Sequence, residues 1–124
     1  MSTTFSLQSA TSFSHAISHK LTNLNYLLWC QQVEPMLKGH HFHHFFRSPT
    51  IPARFKTLED HDLYNVSLEF VGWEQHNQFL LLWLQSTISI EVLPRLINCK
   101  TTWHLWDKLH SHFRSLIRVK THQL

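Results

Sequence analysis

The chain has 124 residues, of which 43% are apolar, 13% are aromatic and only 15% are charged, with a formal net charge of +3. This length fits one domain, and so many apolar and aromatic side chains exclude an intrinsically disordered chain. Only 2 Gly and 4 Pro are present, which disfavours a sandwich or barrel because those folds need many tight turns.

The N-terminal residues 1–19 are rich in Ser and Thr and lack apolar periodicity, which predicts a flexible lead. They contain no basic region followed by a continuous apolar stretch, so no secretory signal is predicted. The longest apolar run, FLLLWL at 79–84, is too short to span a bilayer. We therefore expect an intracellular, cytoplasmic protein that does not contact a membrane.

The first helix is predicted within residues 21–39, where apolar side chains recur at helical spacing. They are Tyr26, Cys30, Val33 and Leu37. Asn23 or Asn25 is the expected N-cap, and Gly39 is the expected C-cap because glycine adopts a positive φ at little cost. Pro35 is expected to kink or split the helix, since proline has no N–H for an interior hydrogen bond.

A histidine-rich segment, KGHHFHHFFRSP, follows at residues 38–49. Its four histidines are His40, His41, His43 and His44. Histidines four apart on a helix share a face and can chelate zinc, nickel or copper. A structural zinc site needs four ligands, however, and the sequence shows no matching second pair. The segment therefore favours a short helix with its phenylalanines turned inward, and no metal or other cofactor is predicted.

The remaining segments predict further helices. Residues 47–56 hold two prolines and predict an extended linker. The most regular helical spacing lies within residues 63–89, at Phe70, Trp73, Asn77, Leu80, Leu81, Leu84 and Ile88. A short helix interrupted by Pro94 is expected next. Thr101 or Thr102 then caps a last helix with Trp103, Trp106, Leu109 and Phe113 on one face. The chain is predicted to be all-α, a small bundle of four or five helices.

No catalytic constellation is apparent in the sequence. There is no glycine-rich phosphate loop and no GxSxG elbow. Glu59, Asp60 and Asp62 cluster in a polar linker with no apolar pocket to shift their pKa. The two cysteines, Cys30 and Cys99, form no CxxC pair, and two free thiols are expected. We therefore predict no enzymatic activity and no small-molecule substrate.

Charge is divided unevenly along the chain. Residues 57–91 carry six acids and no Lys or Arg, whereas residues 92–124 carry six bases against one acid, Asp107. Such a division is typical of nucleic-acid contact or of complementary packing between subunits. A solvated helix face is the simpler alternative.

Four motifs in order resemble the Gag-like region of plant copia-type retrotransposons. KLTNLNYLLW at 20–29 resembles its opening, and Trp73 and Trp83, ten apart, bracket a Leu-rich run as in its central helix. ISIEVLP at 88–94 is similar to the following turn. The last motif, Thr…Trp-x-x-Leu-x-x-x-Phe, is matched by Thr101, Trp106, Leu109 and Phe113. His76 and Asn77 stand where the family usually has Gln-Asp.

The resemblance implies a capsid-like helical domain over residues 20–124, truncated at its C-terminal end. Family members build virus-like particles around element RNA and perform no catalysis. Self-association into homo-oligomers and weak, nonspecific RNA binding are therefore expected, with Arg114, Arg118 and Lys120 as possible RNA contacts. The residues expected to form the core are Tyr26, Trp29, Trp73, Trp83, Trp103, Trp106, Leu109 and Phe113.

Two alternatives remain open from the sequence. One is a domesticated helical protein-interaction module that no longer assembles. The other is a metal-binding protein that uses the histidines of residues 40–44.

Overall fold

The computed structural model describes the backbone of residues 17–123 and the side chains of residues 17–117. Within that range the fold is all-α, as predicted, with no strand. The helices are α1 (Tyr26–Gly39), α2 (His43–Arg47), α3 (Leu58–Asp62), α4 (Leu68–Ser86) and α5 (Thr102–Gln123). A 3-10 turn, Leu93–Leu96, lies between α4 and α5. Most of the predicted flexible lead, residues 1–16, falls outside the described residues.

Helix α1 begins directly after Asn25, one of the two predicted caps, but the Asn25 side chain does not cap the helix. Its Oδ1 accepts from the Thr22 N–H at 2.7 Å and its Nδ2 donates to the Lys20 carbonyl at 2.8 Å, so it stabilises the turn before the helix. The helix continues through Pro35. Of the two expected effects of Pro35, a kink or a split, the split does not occur. Val33 and Leu37, on either side of the proline, are both buried in the core.

The end of α1 differs from the prediction that Gly39 supplies the left-handed residue. Gly39 is helical, and His41 has a φ of +61° instead. The His41 N–H donates to the Lys38 carbonyl at 3.0 Å and the Phe42 N–H donates to that of Leu37 at 2.9 Å, the two bonds of a Schellman motif. Leu37 and Phe42 are both buried. The chain reverses at His41 because Phe42 must turn back onto the core.

The core lies among α1, α2, α4 and α5, and its centre is Trp29, which is fully buried. A backbone bridge closes one side of it: the Leu21 N–H donates to the Thr87 carbonyl at 2.8 Å, and the Ser89 N–H donates to that of Leu21 at 2.9 Å. The buried apolar residues are Leu21, Trp29, Val33, Leu37, Phe42, Phe45, Phe46, Leu80, Leu81, Trp83, Leu84, Ile88, Val92, Leu96, Cys99, Leu105, Leu109 and Phe113.

The segment between α2 and α4 is held by Ser67, the N-cap of α4. Its Oγ accepts from the Phe70 N–H at 3.2 Å and donates to the Ala53 carbonyl at 2.6 Å. Residues 48–53 form no helix or strand, and Ser48 has an extended backbone with φ −129° and ψ 133°. The segment also contains α3. The periodicity of this helix was too short to detect in the sequence, and its cap is Thr57, whose Oγ1 accepts from the Asp60 N–H at 3.0 Å.

Asn77 joins α4 to the start of α5. It is 2% exposed, and its Oδ1 accepts from both the N–H and the hydroxyl of Thr102, at 2.8 and 2.9 Å. Its Nδ2 donates to the Lys100 carbonyl at 3.0 Å. The Asn77 amide therefore supplies partners for the buried polar groups of Thr102 and for the Lys100 carbonyl. This explains the single polar residue on the inner face of α4.

Replacing Asn77 with Ala should lower the free energy of unfolding by about 2–3 kcal/mol, because buried groups of Thr102 and Lys100 would lose their partners. Chemical denaturation monitored by circular dichroism measures this. Gln78→Ala, at the exposed neighbouring position, is the control and should change stability by less than about 0.5 kcal/mol. Equal effects of the two substitutions would contradict the role of Asn77.

Candidate functional site

Of the residues expected to form the core, some are buried and others are only partly buried. Trp29, Trp83, Leu109 and Phe113 are buried. Tyr26, Trp73 and Trp106 are partly buried and pack against the core. Trp103 is also only partly buried, and Leu105 is fully buried on α5. The inner face of α5 is therefore formed by Leu105, Leu109 and Phe113 rather than by its tryptophans, because Asn77 fixes Thr102 toward the core.

A cleft lies between α1 and α5, and its wall is a cluster of aromatic rings. The Tyr26 ring stacks on that of Phe113, with centroids 4.7 Å apart and planes 6° from parallel. The Tyr26 hydroxyl is hydrogen-bonded to His110 Nδ1. The Trp106 ring lies 4.3 Å from that of His110. None of the sequence motifs includes His110, so its place in this cluster was not predicted.

Burial controls the charge of the groups in this wall. It lowers the pKa of His110 to about 4, with a smaller effect of the Arg114 charge, and it raises the pKa of Tyr26 and of the Cys30 thiol. All three groups are therefore neutral at pH 7. Among the described residues, the buried His110 Nε2 has no hydrogen-bond partner.

The cleft has a volume of about 350 Å³ and a mixed lining. The lining residues are Tyr26, Glu34, Phe46, Trp103, Trp106, Asp107, His110 and Arg114. Charges of both signs face it together with aromatic rings, so no single ligand class is favoured by its electrostatics.

The histidine-rich segment forms α2 and the turn before it. Phe42, Phe45 and Phe46 are buried, which agrees with the predicted amphipathic helix. The His44 ring lies 4.3 Å from that of Phe45, and burial lowers the pKa of His44. Of the described side chains, no three from His, Cys, Asp and Glu are placed to hold a metal ion. His40, His41, His43 and His44 therefore act here as neighbours of aromatic rings and as part of the turn.

Helix α4 carries a second apolar face on its outer side. Leu68, Val71, Phe79 and Leu82 are 86%, 47%, 41% and 67% exposed. At 3.6 residues per turn these four fall on one face, opposite the buried Leu80, Leu81 and Leu84. We call these four residues the α4 stripe.

The predicted RNA contacts lie on the C-terminal half of α5. Arg114 is exposed, and its Nε donates to the His110 carbonyl at 3.3 Å. The side chains of Arg118 and Lys120 fall outside the described residues. In the part of the chain that the structure covers, no helix has the length and apolar character needed to cross a membrane.

Two curated proteins of Arabidopsis thaliana are similar to this chain, the retrovirus-related Pol polyproteins from transposons RE2 and RE1. They are 26% identical to it over 90 and 91 residues, 73% of this chain. The chain spans only 6% of the length of either polyprotein. These similarities support an origin of the chain in a copia-type retrotransposon. No protein-family model matches the chain, and no solved structure matches it.

The low pKa of His110 predicts a loss of stability in acid. An unfolded histidine titrates near 6.5, so between pH 6.5 and 4 the unfolded chain binds a proton at this residue that the folded chain does not. Stability should therefore fall as pH decreases through this window, by about 2 kcal/mol for a partly exposed group.

Urea unfolding at pH 7 and at pH 4 tests this in the wild type and in His110→Asn, whose amide does not titrate. The loss of stability on acidification should be smaller in the variant. His44 and His112, whose pKa values burial also lowers, are present in both proteins and cancel in the comparison. Identical losses in the two proteins would contradict the prediction.

Proposed function

We propose that this chain is a Gag-like structural domain of copia-type retrotransposon origin that self-associates in a capsid-type assembly and performs no catalysis. The similarity to the two retrotransposon polyproteins supports the origin. The α4 stripe is the observation that carries the assembly role, because it leaves a helix of a small bundle apolar on two opposite sides.

The physical argument rests on where the two apolar faces of α4 lie. Its inner face is buried against α1 and α5, whereas the stripe exposes two leucines to water, with Leu68 86% and Leu82 67% exposed. A helix that is apolar on opposite sides is typical of one that is buried on both. Covering such a stripe gains about 25 cal/mol for each Å² of apolar surface removed from water.

RNA association is the second part of the proposed function. The C-terminal third of the chain carries six bases against one acid, and α5 presents Arg114 to solvent. Contacts between such side chains and phosphates release counterions and do not depend on base sequence. RNA binding by this domain is therefore weak, nonspecific and sensitive to salt.

The assembly proposal predicts that the average mass of the protein in solution rises with concentration, as measured by sedimentation equilibrium. Phe79→Gln with Leu82→Gln should weaken this association at least about tenfold, since about 1.4 kcal/mol of interface energy corresponds to that factor. Ile51→Gln replaces an apolar residue that is 46% exposed outside α4 and should have no effect. A wild-type chain that is monomeric at all concentrations would instead favour an interaction module that does not assemble.

The RNA proposal predicts that retention on single-stranded RNA decreases steadily as salt is raised. Arg114→Ala should weaken retention and reduce the slope of log K against log salt by about 0.7, the value for one phosphate contact on a single strand. Lys56→Ala is the control, because Lys56 is already paired with Glu69 at 3.2 Å. Retention that does not depend on salt would rule out this mode of binding.

A further inference from the structure

A groove separate from the cleft lies between the 3-10 turn and α5. It combines an apolar floor with a positively charged rim. The floor consists of Val92, Leu96, Leu109 and Phe113. Arg95 and Lys108 form the charged rim, and His112, whose pKa burial lowers, lies beside them. We call this surface the basic groove. Its volume of about 240 Å³ is below the range of roughly 300–1,000 Å³ that is typical of small-molecule sites. It is therefore suited to one large apolar side chain that is flanked by negative charge.

The charges on the rim have no carboxylate partner among the described residues. The salt bridge in that part of the chain that involves a Lys or Arg is Lys56–Glu69. Arg95 instead lies 3.3 Å from the Nε2 of His112, and both Arg95 and Lys108 are exposed. The positive charge of this rim is thus available to a negatively charged ligand.

A surface of opposite charge is present on the same chain, at residues 58–64. Three large side chains project there into solvent, with Leu58, Leu63 and Tyr64 being 80%, 70% and 68% exposed. The carboxylates of Glu59, Asp60 and Asp62 lie between Leu58 and Leu63 in the sequence. We call residues 58–64 the acidic knob.

The acidic knob is preformed in the single chain. Thr57 caps α3, the Asn65 side chain donates to Asp60 at 3.2 Å, and Arg54 donates to the Tyr64 hydroxyl at 2.8 Å. Tyr64 has a positive φ of 52°, and it ends the helix so that Leu63 stays exposed. Little conformational entropy has to be lost when a partner binds such a surface.

We propose that the acidic knob of one copy docks into the basic groove of a second copy, with Leu63 on the apolar floor and the carboxylates on the rim. This inference rests on the proposed self-association and identifies a surface for it. Because the knob and the groove are different surfaces, the contact is head-to-tail, and each copy can bind two others.

RNA is a less suitable occupant of the basic groove than a second copy. Recognition of single-stranded RNA relies on exposed aromatic faces on which bases stack. The floor of the groove contains one aromatic residue, Phe113, which is 2% exposed and stacked on Tyr26. The other three floor residues are aliphatic and offer no ring on which a base could stack.

Charge reversal on each surface tests the proposal by sedimentation velocity over a range of concentrations. The groove variant is Arg95→Glu with Lys108→Glu, and the knob variant is Glu59→Lys with Asp62→Lys. Each alone should weaken growth beyond a dimer at least tenfold, because like charges would then face each other. The control for the groove variant, Lys38→Glu with Arg47→Glu, makes the same change in net charge at exposed positions outside the groove and should assemble as the wild type does.

Mixing the groove variant with the knob variant, or combining all four substitutions in one chain, should restore assembly, since opposite charges meet again. Leu63→Gln, at a 70% exposed position, removes the apolar part of the knob without altering charge and should also weaken growth. If a charge reversal lowers the melting temperature, its loss of assembly could result from unfolding, and the Leu63→Gln variant then still tests the docking contact. Ile51→Gln is its control.

The outcomes separate this inference from the proposed function. If the wild type assembles and the groove, knob and Leu63→Gln variants assemble equally well, the docking proposal is overturned and self-association stands. If the wild type remains monomeric, both are overturned. If the groove variant assembles normally but loses retention on RNA, the groove binds RNA and the docking proposal is again overturned.

Discussion

The complete burial of the Trp29 indole is the constraint on which the rest of the fold depends. Its N–H donates to the Thr87 hydroxyl at 3.1 Å, and this hydroxyl donates to the Leu84 carbonyl at 2.7 Å. An indole N–H without an acceptor would be costly in this environment, so the end of α4 must lie against α1. The Thr87 backbone then pairs with Leu21, which brings the segment before α1 onto the same side of the core.

Helices with several turns of apolar periodicity were predictable from the sequence, and shorter features were not. The spacing of apolar residues in the sequence predicted α1, α4 and α5 correctly, because each of these helices has buried residues three or four positions apart. The reversal at His41 depends on which neighbouring side chains are buried, and a single sequence does not contain that information. Helix α3 has five residues and none of them is buried, so it leaves no apolar periodicity to detect. Trp103 was expected in the core because its helical spacing places it on one face with Leu109 and Phe113. Asn77 instead fixes Thr102 toward the core, and Leu105 is buried there.

The candidate surfaces were predictable only in part. The separation of acidic and basic residues along the chain was visible in the sequence, and it indicated complementary packing as one possibility. The basic groove was not visible, since its floor combines residues of the 3-10 turn with residues of α5 that are distant in sequence. His110 could not be predicted either, because its low pKa results from the burial that Tyr26 and Trp106 provide.

The hydrogen bond between Trp29 and Thr87 also affects how the chain folds. It joins residues 58 positions apart, whereas helical bundles normally form most of their contacts between neighbours in sequence. The entropy lost in closing so long a loop must be recovered by packing. The buried face of α1 consequently has no stable partner until α4 has formed, and α1 on its own is too short to persist in water. Folding of this small domain therefore requires α1 and α4 to form together, rather than growth outward from α1.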